Sequence, residues 1–134
     1  LDRFALKHLA GRDVVTLSGG ERQRVGLARN FAQVANPDCD GPAPWIFLDE
    51  PISALDPAHQ VAIMSAAADF ARAGGGVFTV LHDLRLAVTY ADRIALMNRG
   101  ALVAVGKPEA VLTSERVTDV FSLRRCDLPM FLDA

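Results

Sequence analysis

The sequence predicts an α/β protein with a mostly parallel sheet, flanking helices and an antiparallel edge hairpin. Short continuous apolar runs at Trp45 to Leu48 and Val77 to Leu81, helical periodicity between and after them, and a turn signal at Asn98-Arg99-Gly100 carry that prediction. Strand–helix–strand–helix order implies parallel pairing, with ligands beyond the carboxyl ends of the strands. A length of 134 residues suits one domain.

Leu1 to Ala10 reads as a short helix closed by Gly11, and Arg12 to Leu17 as a connector into Ser18. From Gly19 to Ala35, the residues Val25, Leu27, Ala28, Phe31, Ala32, Val34 and Ala35 cover a broad helical face. Asn36 to Pro44, rich in proline and aspartate, is a loop. Trp45 to Leu48 is a strand expected to be buried on both faces, as parallel strands covered by helices are. Asp56-Pro57 joins an N-cap to a proline at the first helical position, opening a helix that runs to about Arg72 and stops at Gly74-Gly75-Gly76. Val77 to Leu81 is a second buried strand, and Asp83 caps a helix to about Tyr90. Arg93 to Met97 and Ala101 to Val105 form the hairpin. Short helices near Pro108 to Leu112 and Glu115 to Phe121 precede an irregular tail.

Composition removes several function classes. A net charge of −2 and a pI near 5.9, with scattered arginines, argue against a nucleic-acid binder. Cys39 and Cys126 lie far apart with no CxxC or His-rich neighbourhood, so neither a metal cluster nor a disulfide framework is expected and a reducing compartment is the default. No apolar run approaches the roughly 18 residues of a membrane span, and no signal-peptide pattern is read.

The chemistry concentrates in a few stretches. Val14 to Arg24 reads VVTLSGGERQR. A capping box accounts for Ser18 and Glu21 and leaves the paired glycines unexplained. An anion site explains them, because bare backbone N–H groups at a helix start let a phosphate approach. Trp45 to Pro51 places the carboxylates of Asp49 and Glu50 at the exit of an apolar strand. They form either a solvated loop pair or a working pair, in which Asp49 holds Mg²⁺ through its hard oxygen and Glu50 polarises an attacking water. Asp56, in Ser53-Ala54-Leu55-Asp56, needs no role beyond its cap. His82 ends Val77 to Leu81 at the same carboxyl edge, as a loop residue or a catalytic one; His8 and His59 are read as structural.

Taken in order, LSGGERQR, WIFLDEP, SALD and VLHD resemble the ABC-transporter ATPase family, across essentially this whole chain but only the C-terminal half of that family's domain. The resemblance implies a partial P-loop NTPase domain and further roles. Ser18, Gly19, Gly20 and Glu21 match the signature motif that contacts the γ-phosphate of ATP on the opposite subunit. Asp49 and Glu50 match the Walker B carboxylate and the catalytic glutamate. Ser53 to Asp56 match the D-loop at the dimer interface, and His82 matches the switch histidine. ATP and Mg²⁺ are the implied cofactors. A second ATPase subunit arranged head to tail, permease subunits and, indirectly, a periplasmic binding protein are the implied partners. The implied place is peripheral, on the cytoplasmic face of a bacterial inner membrane.

Within the family, HLAGRDVVTLSGGERQRVGLAR, SALDPAHQ and YADRIALMNRGALVAVGKPEAVLT look most like bacterial haemin-importer ATPases, near the siderophore and cobalamin group. Ile52 stands where Thr is common, and Arg85 where Asn is. No GxxxxGK[ST] phosphate loop is present; Gly106-Lys107 is followed by Pro108. The chain opens on Leu1 and is expected to be a piece of a longer protein. A half-domain is expected to expose apolar surface and strand edges. The alternative reading is a truncated, non-catalytic interaction module.

Overall fold

The computed structural model describes residues 2–34 and 42–127 and divides into two compact units, Leu1–Val80 and Leu81–Ala134. The loop expected at Asn36 to Pro44 lies mostly outside the described residues, as do Leu1, Ala35, Cys39 and the end of the tail.

In the first unit the expected helix over Leu1 to Ala10 is instead two 3₁₀ turns, Asp2–Phe4 and Lys7–Leu9, separated by Ala5 at φ 51°. Local packing decides this: Phe4, Leu6 and Leu9 all reach the core, a spacing that a broken segment serves. A further 3₁₀ turn, Val14–Thr16, sits in the expected connector, with the Asp13 side chain accepting from the Val15 amide. Helix α1, Gly19–Val34, buries Arg24, Leu27 and Phe31, one side of three successive turns. Helix α2, Pro57–Arg72, buries Ile63, Met64, Ala66 and Ala67. Phe31 links the two, with ring centroids 5.5 Å from Phe4 and 6.0 Å from Phe70. An apolar cleft of about 630 Å³ opens beside them, lined by Phe4, Leu6, Val25, Phe31 and Phe70 among others.

Strands β1, Trp45–Asp49, and β2, Gly76–Val80, pair in parallel, with Trp45 opposite Gly76 and Asp49 opposite Val80. They are not buried on both faces. Ile46 and Leu48 point into the core, while Trp45, Phe47 and Phe78 are 60%, 71% and 51% exposed on the other face. Those three rings line up, centroids 6.3 and 5.9 Å apart, so the apolar run marks two apolar faces of which one is covered here. The glycine run before β2 has separate causes: Gly74 takes φ 97°, and a Cβ on Gly75 or Gly76 would collide with the Phe70 or Trp45 ring.

The second unit has its own core of Leu84, Leu96, Val111, Leu112 and Val117. Helix α3, Leu84–Tyr90, is capped by Asp83, whose carboxylate accepts from the amides of Arg85 and Leu86. Strands β3, Ile94–Asn98, and β4, Ala101–Gly106, form the expected antiparallel hairpin. Arg99 and Gly100 both have positive φ, the requirement of the tight two-residue hairpin turn. Helices α4, Pro108–Val111, and α5, Ser114–Phe121, close the unit. The described strands thus comprise one parallel and one antiparallel pair.

Candidate functional site

The glycine pair of LSGGERQR sits in the first turn of α1, and both readings of that stretch have support. The capping box exists: the Ser18 amide donates to Glu21 Oε2 at 2.7 Å, and the Glu21 amide donates to Ser18 Oγ at 3.3 Å. The Ser18 backbone N–H, then its hydroxyl, hold the Glu21 carboxyl below its ordinary range. Among the described residues, that box leaves the amides of Gly19 and Gly20 without a hydrogen-bond partner at the positive end of the helix. A Cβ on Gly19 would meet nothing within 4 Å. At Gly20 it would touch Leu55 Cδ2 at 3.4 Å and the Ala54 carbonyl at 3.6 Å, so the glycine pair abuts the SALD segment.

One side of α1 meets the segment that follows β1 at two further points. Gln23 Nε2 donates to the Glu50 carbonyl at 3.4 Å. Arg24, 8% exposed, reaches the ring of His59 in the first turn of α2. Gly20, Gln23 and Arg24 lie three and four residues apart, the spacing that puts them on one face.

Glu50 has a backbone that its sequence does not announce. Its φ is 43°, in the left-handed region that costs a non-glycine residue about 1–3 kcal/mol. The surroundings hold it there: its amide donates to the Val80 carbonyl at 3.2 Å, and its carbonyl accepts from the Ser53 amide, the Ser53 hydroxyl and Gln23. The strain turns the chain sharply as it leaves the sheet, with Asp49 exposed at the strand end and Glu50 half-buried. Gln60 ties down the following turn by donating to the carbonyls of Ile52 and Leu55 at 3.2 and 3.0 Å. Ile52 is buried, which gives the apolar residue at that position a packing role.

Asp56 caps α2 as expected, accepting from the His59 amide at 3.0 Å. That amide first, and the His59 ring second, keep its carboxyl below the ordinary range. The structure therefore gathers Ser18, Gly19, Gly20 and Glu21 with the segment carrying Glu50 and Asp56 inside one unit. His82 lies in the second unit, exposed, two residues past β2 and next to the cap Asp83. Gln23, Arg24, His59 and Gln60 were not singled out from sequence for this site. A signal existed for one of them: Arg24 is a charged residue at three- and seven-residue spacing from Leu27 and Phe31 on the buried stripe.

The donor set suits a hard cation that keeps most of its water. Asp49 and Glu50 offer carboxylate oxygens, and among the described residues no group of three or more His, Cys, Asp or Glu could cage a metal alone. The open approach to Gly19 and the unused helix-start amides suit an anionic ligand.

Fold and motif geometry together are similar to part of the ABC ATPase domains found in solved transporter structures. An inward-facing metal-chelate type ABC transporter aligns with 92% of this chain and 46% of its own at 38% identity, with a TM-score of 0.72. The ADP conformation of an ATP-binding cassette of an ABC transporter matches in fold, with a TM-score of 0.69 at 23% identity over 92% of this chain and 47% of that one.

Among curated proteins the chain is similar to the Hemin import ATP-binding protein HmuV of Mesorhizobium japonicum, at 52% identity over 124 residues, 92% of this chain and 47% of the relative. The protein of the same name from Myxococcus xanthus is 51% identical over 124 residues, 92% of this chain and 46% of that relative. The chain spans about half the length of the curated relatives it matches. No protein-family model matches it. Among the described residues no helix is long and apolar enough to cross a membrane.

Proposed function

We propose that this chain is the C-terminal part of the ATP-binding subunit of a bacterial ABC importer for haemin. The carrying observation is the meeting of LSGGE with the segment from Glu50 to Asp56 on one side of α1, in a chain 52% identical to a Hemin import ATP-binding protein. Glu50 polarises the attacking water, and its strained backbone fixes where the side chain leaves the sheet. Mg²⁺, when bound, neutralises charge on the phosphate oxygens, and Asp49 would hold it. The amides of Gly19 and Gly20, with Ser18, receive the γ-phosphate of ATP held by a second subunit arranged head to tail. Asp56 lies at that subunit interface, and His82 senses the γ-phosphate.

Catalysis of this kind depends on a phosphate cradle, and GxxxxGK[ST] is not in this sequence. The half-site is completed by the remaining half of the domain, which packs on the aromatic face of Trp45, Phe47 and Phe78. The subunit works at the cytoplasmic face of the inner membrane with permease subunits, supplied by a periplasmic binding protein. The test is hydrolysis by the complete subunit with its permease in proteoliposomes, where haemin with its binding protein should stimulate ATP turnover.

A second reading has its own support in the metal-chelate type transporter at 38% identity. On that reading the cargo is a siderophore or cobalamin, and those ligands stimulate turnover while haemin does not. The interaction-module reading predicts that neither does, and that the complete subunit fails to hydrolyse ATP.

A further inference from the structure

The geometry points to His59 as a positioning residue that locks the LSGGE helix to the Ser53–Asp56 segment by relaying the charge of Asp56 to buried Arg24. The functional part of this inference rests on the ATPase reading above; the tautomer it requires does not.

The argument begins with Arg24. A guanidinium carries only donors, and burying its charge is unfavourable unless partners compensate. Its hydrogen-bond partners among the described residues are the Phe4 carbonyl at 3.3 Å and His59 Nε2 at 2.5 Å, with the Glu21 carboxylate one turn earlier acting on it only at a distance. Because arginine can only donate, Nε2 must accept, and the ring proton then sits on Nδ1. There it donates to Asp56 Oδ2 at 2.5 Å, while Asp56 Oδ1 accepts from the His59 amide at 3.0 Å. A neutral imidazole thus joins a buried cation on α1 to a more exposed carboxylate at the start of α2. A rigid ring with an acceptor at one end and a donor at the other meets both demands.

The linked pieces carry the chemistry. Arg24 lies one helical turn beyond Gly20, and Gly20 already touches Ala54 and Leu55. Asp56 ends the segment that starts at the strained Glu50. A displacement of the γ-phosphate-facing helix start is therefore carried to the interface segment through the Arg24–His59–Asp56 chain.

The test uses the complete subunit with His59 replaced by Ala, Gln or Asn. His59→Ala should lower kcat for ATP about tenfold or more while KM stays within about twofold. His59→Gln places an amide oxygen where Nε2 accepts from Arg24 and should recover about half of the wild-type kcat. His59→Asn keeps only the donor toward Asp56 and should stay near the alanine variant. Equal rates for Gln and Asn, or a raised KM with unchanged kcat, would overturn the inference. Nitrogen-15 NMR of the wild-type ring gives a readout free of hydrolysis: a proton on Nδ1 supports the relay, and a proton on Nε2 refutes it. If the wild-type subunit hydrolyses no ATP, the ATPase reading has failed and the NMR result alone decides the relay.

Discussion

The starts of α1 and α2 are built alike for one turn and then part. At α1, Ser18 and Glu21 satisfy each other and the network closes within four residues. At α2, Asp56 and His59 make the same kind of pair three residues apart, but the ring passes the interaction on to Arg24 of α1. The first cap is a local device that any sequence with Ser and Glu at that spacing can adopt. The second is tertiary, and it gives a buried cation a hydrogen-bonded route to a carboxylate. The same chemistry at a helix end is worth little or much depending on what it shields from water.

That contrast orders the expected effects of substitution. His59→Leu strands the Arg24 charge in the core and should cost on the order of 3 kcal/mol in urea unfolding. Arg24→Met removes the charge, leaves the Phe4 carbonyl and the half-buried His59 Nε2 short of a donor, and should cost about 1–2 kcal/mol. A reversed order would mean that the buried charge is compensated by some other group. At the local cap, Ser18→Ala should cost about 1 kcal/mol in the same measurement, the usual loss for an N-cap.

The smallest effect is one of pH. Folding holds the Glu21 carboxyl below its ordinary 4.5 and the Asp56 carboxyl below 3.8. Their contributions are complete above those values and are lost as pH falls through the lower folded ones, because the unfolded chain then binds more protons. Melting temperature should decline below about pH 4.5. Glu21→Gln should flatten the upper part of that decline and Asp56→Asn the lower part, whereas equal slopes in all three proteins would contradict the assigned bonds.

Local signals in the sequence translated directly into structure. Ser18 with Glu21, Asp56 with Pro57, Asp83, and the Asn98-Arg99-Gly100 turn all act within a few residues, where composition and spacing carry the physics. The misread features depend on distant partners. Trp45 to Leu48 is apolar on both faces, but only the face of Ile46 and Leu48 has something to pack on. Ala5 breaks the first helix because Phe4, Leu6 and Leu9 must all reach the core. The bond from His59 to Arg24 joins residues 35 apart in sequence, so no local signal announced it. The left-handed turn at Glu50 is imposed by Val80, Ser53 and Gln23 and has no glycine to advertise it. Motif order therefore named the candidate residues, while the bonds that position them became visible only in three dimensions.

The central claim is that this chain supplies the water-activating carboxylate and the helix start of an ATP site shared between subunits. Glu50→Gln in the complete subunit tests it most directly, by measuring ATP turnover together with nucleotide retained on the protein after gel filtration. The account predicts a closed dimer that keeps unhydrolysed ATP and shows no steady turnover. Turnover at the wild-type rate, with no retained ATP, would contradict it.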